Sequence, residues 1–113
     1  MNLAELVYLG NFEEASKITL KISPQQIYES LREKAHEEID IVFYGFFVHL
    51  LLHRPKKDLA ELHHNVSLLL FLDLRSINGA YDLAEYHIKE AIKYDPEDED
   101  YHRYLEHLKS IPR

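Results

Sequence analysis

The stretch Asp58–Pro96, DLAELHHNVSLLLFLDLRSINGAYDLAEYHIKEAIKYDP, decides the fold class. Its apolar residues recur at helical rather than alternating intervals: Leu59, Leu62, Val66, Leu69, Leu70 and Leu74 form a wide stripe that Asn78-Gly79 ends. Beyond that turn, Ala84, Ile88, Ala91 and Ile92 form a second stripe, with Glu85 and Lys89 spaced to pair on the outside. Asp95-Pro96 breaks the second helix. Asp95 is placed to cap a last one, whose first turn holds Glu97, Asp98 and Glu99 where the helix dipole favours acids.

Upstream, Arg54-Pro55-Lys56-Lys57 closes the preceding element and Asp58, with Glu61 three residues later, opens the hairpin. Ser23-Pro24-Gln25-Gln26 is a helix start: Ser23 caps, Pro24 fits the first helical position, and Gln26 reaches back as a capping-box partner. No proline follows until Pro55, and a straight helix over 24–53 would run about 45 Å, long for so small a domain. A bend is therefore expected at Gly45, where helix propensity is poorest, or over Glu37 to Asp40, where charged sequence gives way to apolar. Leu3, Leu6 and Val7, then Phe12, Ala15, Ile18, Leu20 and Ile22 after Gly10-Asn11, give a first helical pair. Phe43, Tyr44, Phe46 and Phe47 read as core. Left outside, the phenylalanines would form an apolar patch fit for self-association into a homo-oligomer.

With 113 residues, 46% hydrophobic and 29% charged, the chain has the size and composition of one folded domain, and only three glycines and four prolines punctuate it. Residues 1–113 are accordingly read as a single all-α domain. The absence of cysteine excludes disulfides, thiolate metal ligation and cysteine catalysis. Met1 to Gly10 lacks the basic and apolar regions of a secretory signal, and the apolar run Ile39 to Leu52 is interrupted by Asp40, Gly45 and His49. A cytoplasmic protein without a membrane segment is expected. A net charge of −7 with no basic cluster excludes nucleic acid as a partner and suits a protein with a basic surface.

Gly79, Tyr81, Ala84, Ile88, Ala91 and Pro96 stand at spacings with mechanical reasons. The glycine permits a tight turn, the alanines let two helices approach, Tyr81 and Ile88 fill the space between them, and the proline ends the hairpin. In this pattern, most specifically in Gly79 to Glu85, the segment 65–96 resembles a tetratricopeptide repeat. A weaker echo begins at Gly10-Asn11-Phe12, two repeat lengths of about 34 residues earlier. Leu72 and Arg75 depart from the family pattern, which usually has a small residue and an aromatic one there. The resemblance implies helical hairpins packed as a compact bundle or as a degenerate tetratricopeptide-like solenoid. It also implies a protein-binding role in which the first helix of the hairpin lines a groove. Carried over by position, it selects Val66, Leu69, Asp73, Ser76 and Ile77 as partner-binding residues.

Eight histidines are the compositional oddity. His49 and His53 lie four apart, and Glu33-Lys34-Ala35-His36 and Glu61-Leu62-His63-His64 are two Glu-x-x-His strings of the kind that di-iron bundles use. Such strings also arise readily in a chain this rich in Glu and His, and half-buried histidines need no metal. The serines lie in no glycine-rich elbow, and there is no phosphate-cradling loop. The sequence thus reads as a non-enzymatic protein–protein interaction module without cofactor. Its sharper form is an immunity-type inhibitor of a basic toxin. The alternative is a metal-dependent helical enzyme or metal-binding protein using Glu and His.

Overall fold

The computed structural model describes residues 1–112. Among these residues seven α-helices follow one another: α1 (Leu3–Tyr8), α2 (Phe12–Thr19), α3 (Pro24–Glu38), α4 (Val42–His53), α5 (Leu59–Leu68), α6 (Ala80–Tyr94) and α7 (Glu99–Ser110). A 3-10 turn, Lys56–Asp58, leads into α5, and a π-helical turn, Leu69–Asp73, extends it. No strand occurs among the described residues, so the fold is all-α, packed as a compact globule.

Local chemistry sets the helix starts. At Ser23 the capping box is complete: Ser23 Oγ accepts from the Gln26 amide at 3.2 Å, and Gln26 Oε1 accepts from the Ser23 amide at 3.0 Å. Asn2, Asn11 and Asp98 cap α1, α2 and α7 through a side-chain oxygen that accepts from the amide three residues on. The cap of α7 is therefore Asp98 and not Asp95, which ends α6 with its amide bonded to Ala91 O at 2.9 Å. Asp58 precedes α5 but caps nothing, because Arg54 Nε holds its carboxylate at 3.1 Å. The same guanidinium donates to Thr19 O at 2.8 Å and Ile22 O at 3.2 Å, tying the α2–α3 corner to the α4–α5 corner.

The expected bend between Pro24 and His53 falls at the change from charged to apolar sequence, while Gly45 stays inside α4. Its missing side chain faces the Phe12 ring, whose nearest atom would lie 3.6 Å from an added Cβ. Ile39 makes the corner in the left-handed conformation, φ 49°, with its amide bonded to Ala35 O at 2.8 Å. A β-branched residue rarely adopts this backbone, which costs about 1–2 kcal/mol outside glycine.

Helix α5 is the hub, packed against α3, α4 and α6, and its contact with α6 is the most extensive in the molecule. Leu62, Val66, Leu69 and Leu70 on one side meet Ala80, Ala84, Ile88 and Ala91 on the other, all buried. Ser67 Oγ donates to Ala84 O at 2.6 Å and lies 3.0 Å from the Tyr104 hydroxyl, joining α5, α6 and α7. Phe43, Phe46 and Phe47 of α4 are fully buried, so the apolar patch they could have offered for self-association is core. Of the first helical pair, Ile18 and Leu20 do not join that core; they are 46% and 70% exposed. Among the described residues no helix is long and apolar enough to cross a membrane.

Two substitutions test this packing. Ala91→Leu should overfill the α5–α6 contact and lower stability by about 1–3 kcal/mol in urea denaturation. Ile39→Gly should raise it by about 1 kcal/mol, because glycine relieves the left-handed corner and the isoleucine is 47% exposed.

Candidate functional site

Helix α3 carries Glu29, Glu33 and Glu37 at intervals of four, a row of like charges that weakens an isolated helix. Arg32 and His36 stand beside that row, also four apart. Opposite them, the chain beyond α5 takes one wide turn: Leu74 N bonds to Leu69 O at 2.9 Å, five residues back instead of four. The extra residue shifts the following side chains by about 100° around the helix axis. Leu70 and Leu74 both stay in the core, and Asp73 faces α3.

Between them opens a cleft of about 520 Å³ lined by Glu29, Arg32, Glu33, His36, Glu37 and Asp73. The Asp73 side chain is only 3% exposed. His36 Nδ1 stands 3.5 Å and Arg32 Nη2 3.9 Å from its Oδ1, distances of charge attraction rather than of good hydrogen bonds. Its Oδ2 has no hydrogen-bond partner among the described residues. Burial pushes the Asp73 carboxyl above its usual range, and the Arg32 and His36 charges oppose that rise. Behind it, burial and then the Asp73 charge push the Tyr28 phenol up to about 12. The Tyr28 hydroxyl is also without a partner, and the Arg32 guanidinium lies over its ring at 5.4 Å.

The five residues selected by position do not share one surface. Val66 and Leu69 are fully buried core residues, Ser76 is exposed, Ile77 is half-buried and packs on the core, and Asp73 faces the α3 cleft. Val66 and Leu69 lie on the apolar stripe that packs into the core against α6 and α3, and the wide turn brings Asp73 to the α3 side. The acidic wall of the cleft escaped the positional argument because it belongs to another helix. Its available signal was the row Glu29, Glu33, Glu37.

The histidines divide into separate groups. His36 approaches Asp73, not Glu33. The His49 and His53 rings lie 4.2 Å apart between centres, tilted by 34°, with His53 Nδ1 2.7 Å from His49 O. His64 packs on Tyr101 and Tyr104. His63 Nδ1 lies 2.9 Å from His87 Nδ1, and His87 Nε2 lies 2.9 Å from the Tyr44 hydroxyl, linking α5, α6 and α4. Tyr94 stacks on His63, and Tyr86 abuts His87 edge-on. Among the described residues no three His, Asp or Glu side chains converge as a metal ion would require.

No family model, curated protein or solved structure matches the chain.

The His63–His87 pair sets an acid limit on stability. A bond between two Nδ1 atoms needs one with a hydrogen and one without, and burial, with His63 next in weight, lowers His87 from its ordinary 6.5 to about 4. A depressed histidine pKa means that the fold favours the neutral ring. This contribution is complete above pH 6.5 and is lost as the pH falls toward 4. The loss should reach about 3 kcal/mol, since each tenfold drop in proton affinity is worth about 1.4 kcal/mol. Urea midpoints at pH 6.5 and 4.5 check it: His87→Phe should flatten the difference between them.

Proposed function

We propose that this chain is a protein-interaction module that engages a cationic group of its partner at the Asp73 cleft. One observation carries the reading: a carboxylate buried to 3% exposure, with one oxygen unpaired, forms the floor of a cleft walled by three more carboxylates. A buried charge is costly unless paired and hydrogen-bonded. Arg32 and His36 only partly meet that demand, so a positively charged group entering the cleft gains what the free protein leaves unmet. The net charge of −7 extends the same preference to the whole surface, attracting a basic partner over distances of about one Debye length, roughly 8 Å at physiological salt.

The tetratricopeptide-like reading of the α5–α6 hairpin supports this role. Gly79 turns the chain at φ 86°, and Ala84 and Ala91 sit in the helix contact. In this proposal the recognition surface is the α3 side of the Asp73 turn and not a groove along α5. An inhibitor of a basic toxin, of the immunity type, is the form of such a module that fits a small, acidic, cysteine-free chain. For the metal-dependent alternative, the histidines supply pairs: His63 with His87, and His49 with His53.

The test is affinity for a basic protein partner by titration calorimetry. Asp73→Lys should cut affinity at least about tenfold, or 1.4 kcal/mol, and added salt should weaken binding of the unmodified chain. His49→Ala with His53→Ala should leave affinity unchanged. A partner indifferent to Asp73→Lys but lost with the two histidines would overturn the proposal.

A further inference from the structure

An acidic row on an exposed helix is in itself only a solvated face. The cleft differs because a second observation belongs to it: Asp73, lining the opposite wall at 3% exposure, has only loose ion pairs at Oδ1, 3.5 Å from His36 and 3.9 Å from Arg32, while Oδ2 is buried without a partner. Four carboxylates line the space against one guanidinium and one imidazole. An anionic ligand would meet net repulsion there, and a divalent metal would find only Asp73 and His36 drawn together. The remaining class is an organic cation.

Two side chains keep such a charge throughout the physiological pH range, lysine and arginine, and the donor geometry separates them. The acceptors lie on both sides of the cleft, with Asp73 on the π turn and Glu29, Glu33 and Glu37 along α3. A lysine ammonium is a compact, strongly hydrated charge that would have to shed water to reach Asp73. A guanidinium is planar and more weakly hydrated, and its five N–H donors spread outward in a fixed fork. Set edge-on against Asp73, it can take the place of Arg32 beside Oδ1 and still present N–H groups to the glutamates at the rim. Arg32 already shows the preference from within the chain, lying over Tyr28 and approaching Oδ1 without bonding it.

We infer that the Asp73 cleft takes the guanidinium of an arginine side chain presented by the partner, with Asp73 as floor, the α3 glutamates as rim, and Arg32 as an internal competitor. The inference rests on the reading of the chain as a binding module and names the group that the module recognises. Arg32, 47% exposed at its side chain, must swing outward as the incoming guanidinium enters. Removing it should therefore tighten binding, whereas in an anion site the same change would abolish binding.

Short alanine-based peptides with a central arginine, lysine or citrulline, together with free L-arginine, provide the test, read by amide NMR titration of the full chain. The arginine peptide should shift the signals of residues 29–37 and 72–74. The lysine peptide should bind about tenfold more weakly, a difference of 1.4 kcal/mol, and the citrulline peptide should not bind. Asp73→Asn should remove binding, and Arg32→Gln should strengthen it severalfold. If Asp73→Asn does not fold, Glu33→Gln with Glu37→Gln, both exposed, replaces it and should weaken binding. Lysine and arginine peptides of equal affinity would overturn the guanidinium assignment while leaving the module intact. Free L-arginine bound as tightly as the peptide would overturn the protein-borne occupant. Shifts confined to other residues, or weaker binding by Arg32→Gln, would overturn the site itself.

Discussion

The close approach of α5 and α6 is the constraint on which the rest of the molecule depends. Alanine at 80, 84 and 91 removes side-chain bulk from the contact, so the leucines and Val66 of α5 reach the α6 backbone region and bury there completely. Ser67 then bonds a carbonyl of α6 directly. Once α5 is fixed on one flank, its remaining faces must accept α3 and α4. The large aromatic side chains of α4 supply the volume that α1 and α2 close over. The two short N-terminal helices could not bury enough surface alone; they are stable as a cover for α3 and α4.

The same constraint explains why the charged cleft lies where it does. With the apolar stripe of α5 committed to the core, an uninterrupted α-helix would have carried residue 73 onto a different face. The wide turn before it allows Leu74 to stay inside while a carboxylate is held against α3. Holding it there costs desolvation that neither Arg32 nor His36 fully offsets, and the raised Asp73 carboxyl pKa records that imbalance. In the proposed reading, stability and recognition are opposed at this one residue.

Much of the framework was legible because it rests on local chemistry. The Ser23 capping box, the Gly79 turn and the apolar stripes of α5 and α6 depend on residues within a few positions of each other, and each appears where its pattern places it. The corner after α3 was legible only as a change of composition, since it uses an isoleucine where a glycine or asparagine would announce it. The cap of α7 lay three residues beyond Asp95 because several acids in a row were equally able to cap. The site was less legible still. Nothing in the run Leu68 to Leu74 marks a π turn, and the partners of Asp73, Arg32 and His36, lie far back in the chain on α3. The repeat position picked out Asp73 but not the wall it faces.

The hydrogen-bonded chain from His63 through His87 to Tyr44 has a further consequence, which concerns direction. With both rings neutral, its protons have two self-consistent arrangements. In one, His63 Nδ1–H donates to His87, which donates through Nε2–H to the Tyr44 oxygen. In the other, the tyrosine hydroxyl donates inward and His87 donates through Nδ1–H to His63. Switching between them changes the tautomer of both histidines and reverses the polarity of the whole chain without moving a heavy atom. The outer nitrogen of His63 is bare in the first state and carries a hydrogen in the second, while the tyrosine proton points outward and then inward. The reversal balances through solvent: as two protons pass along the chain, His63 Nε2 takes one up and the outward proton of Tyr44 is released, so that toward the outside the tyrosine changes from donor to acceptor.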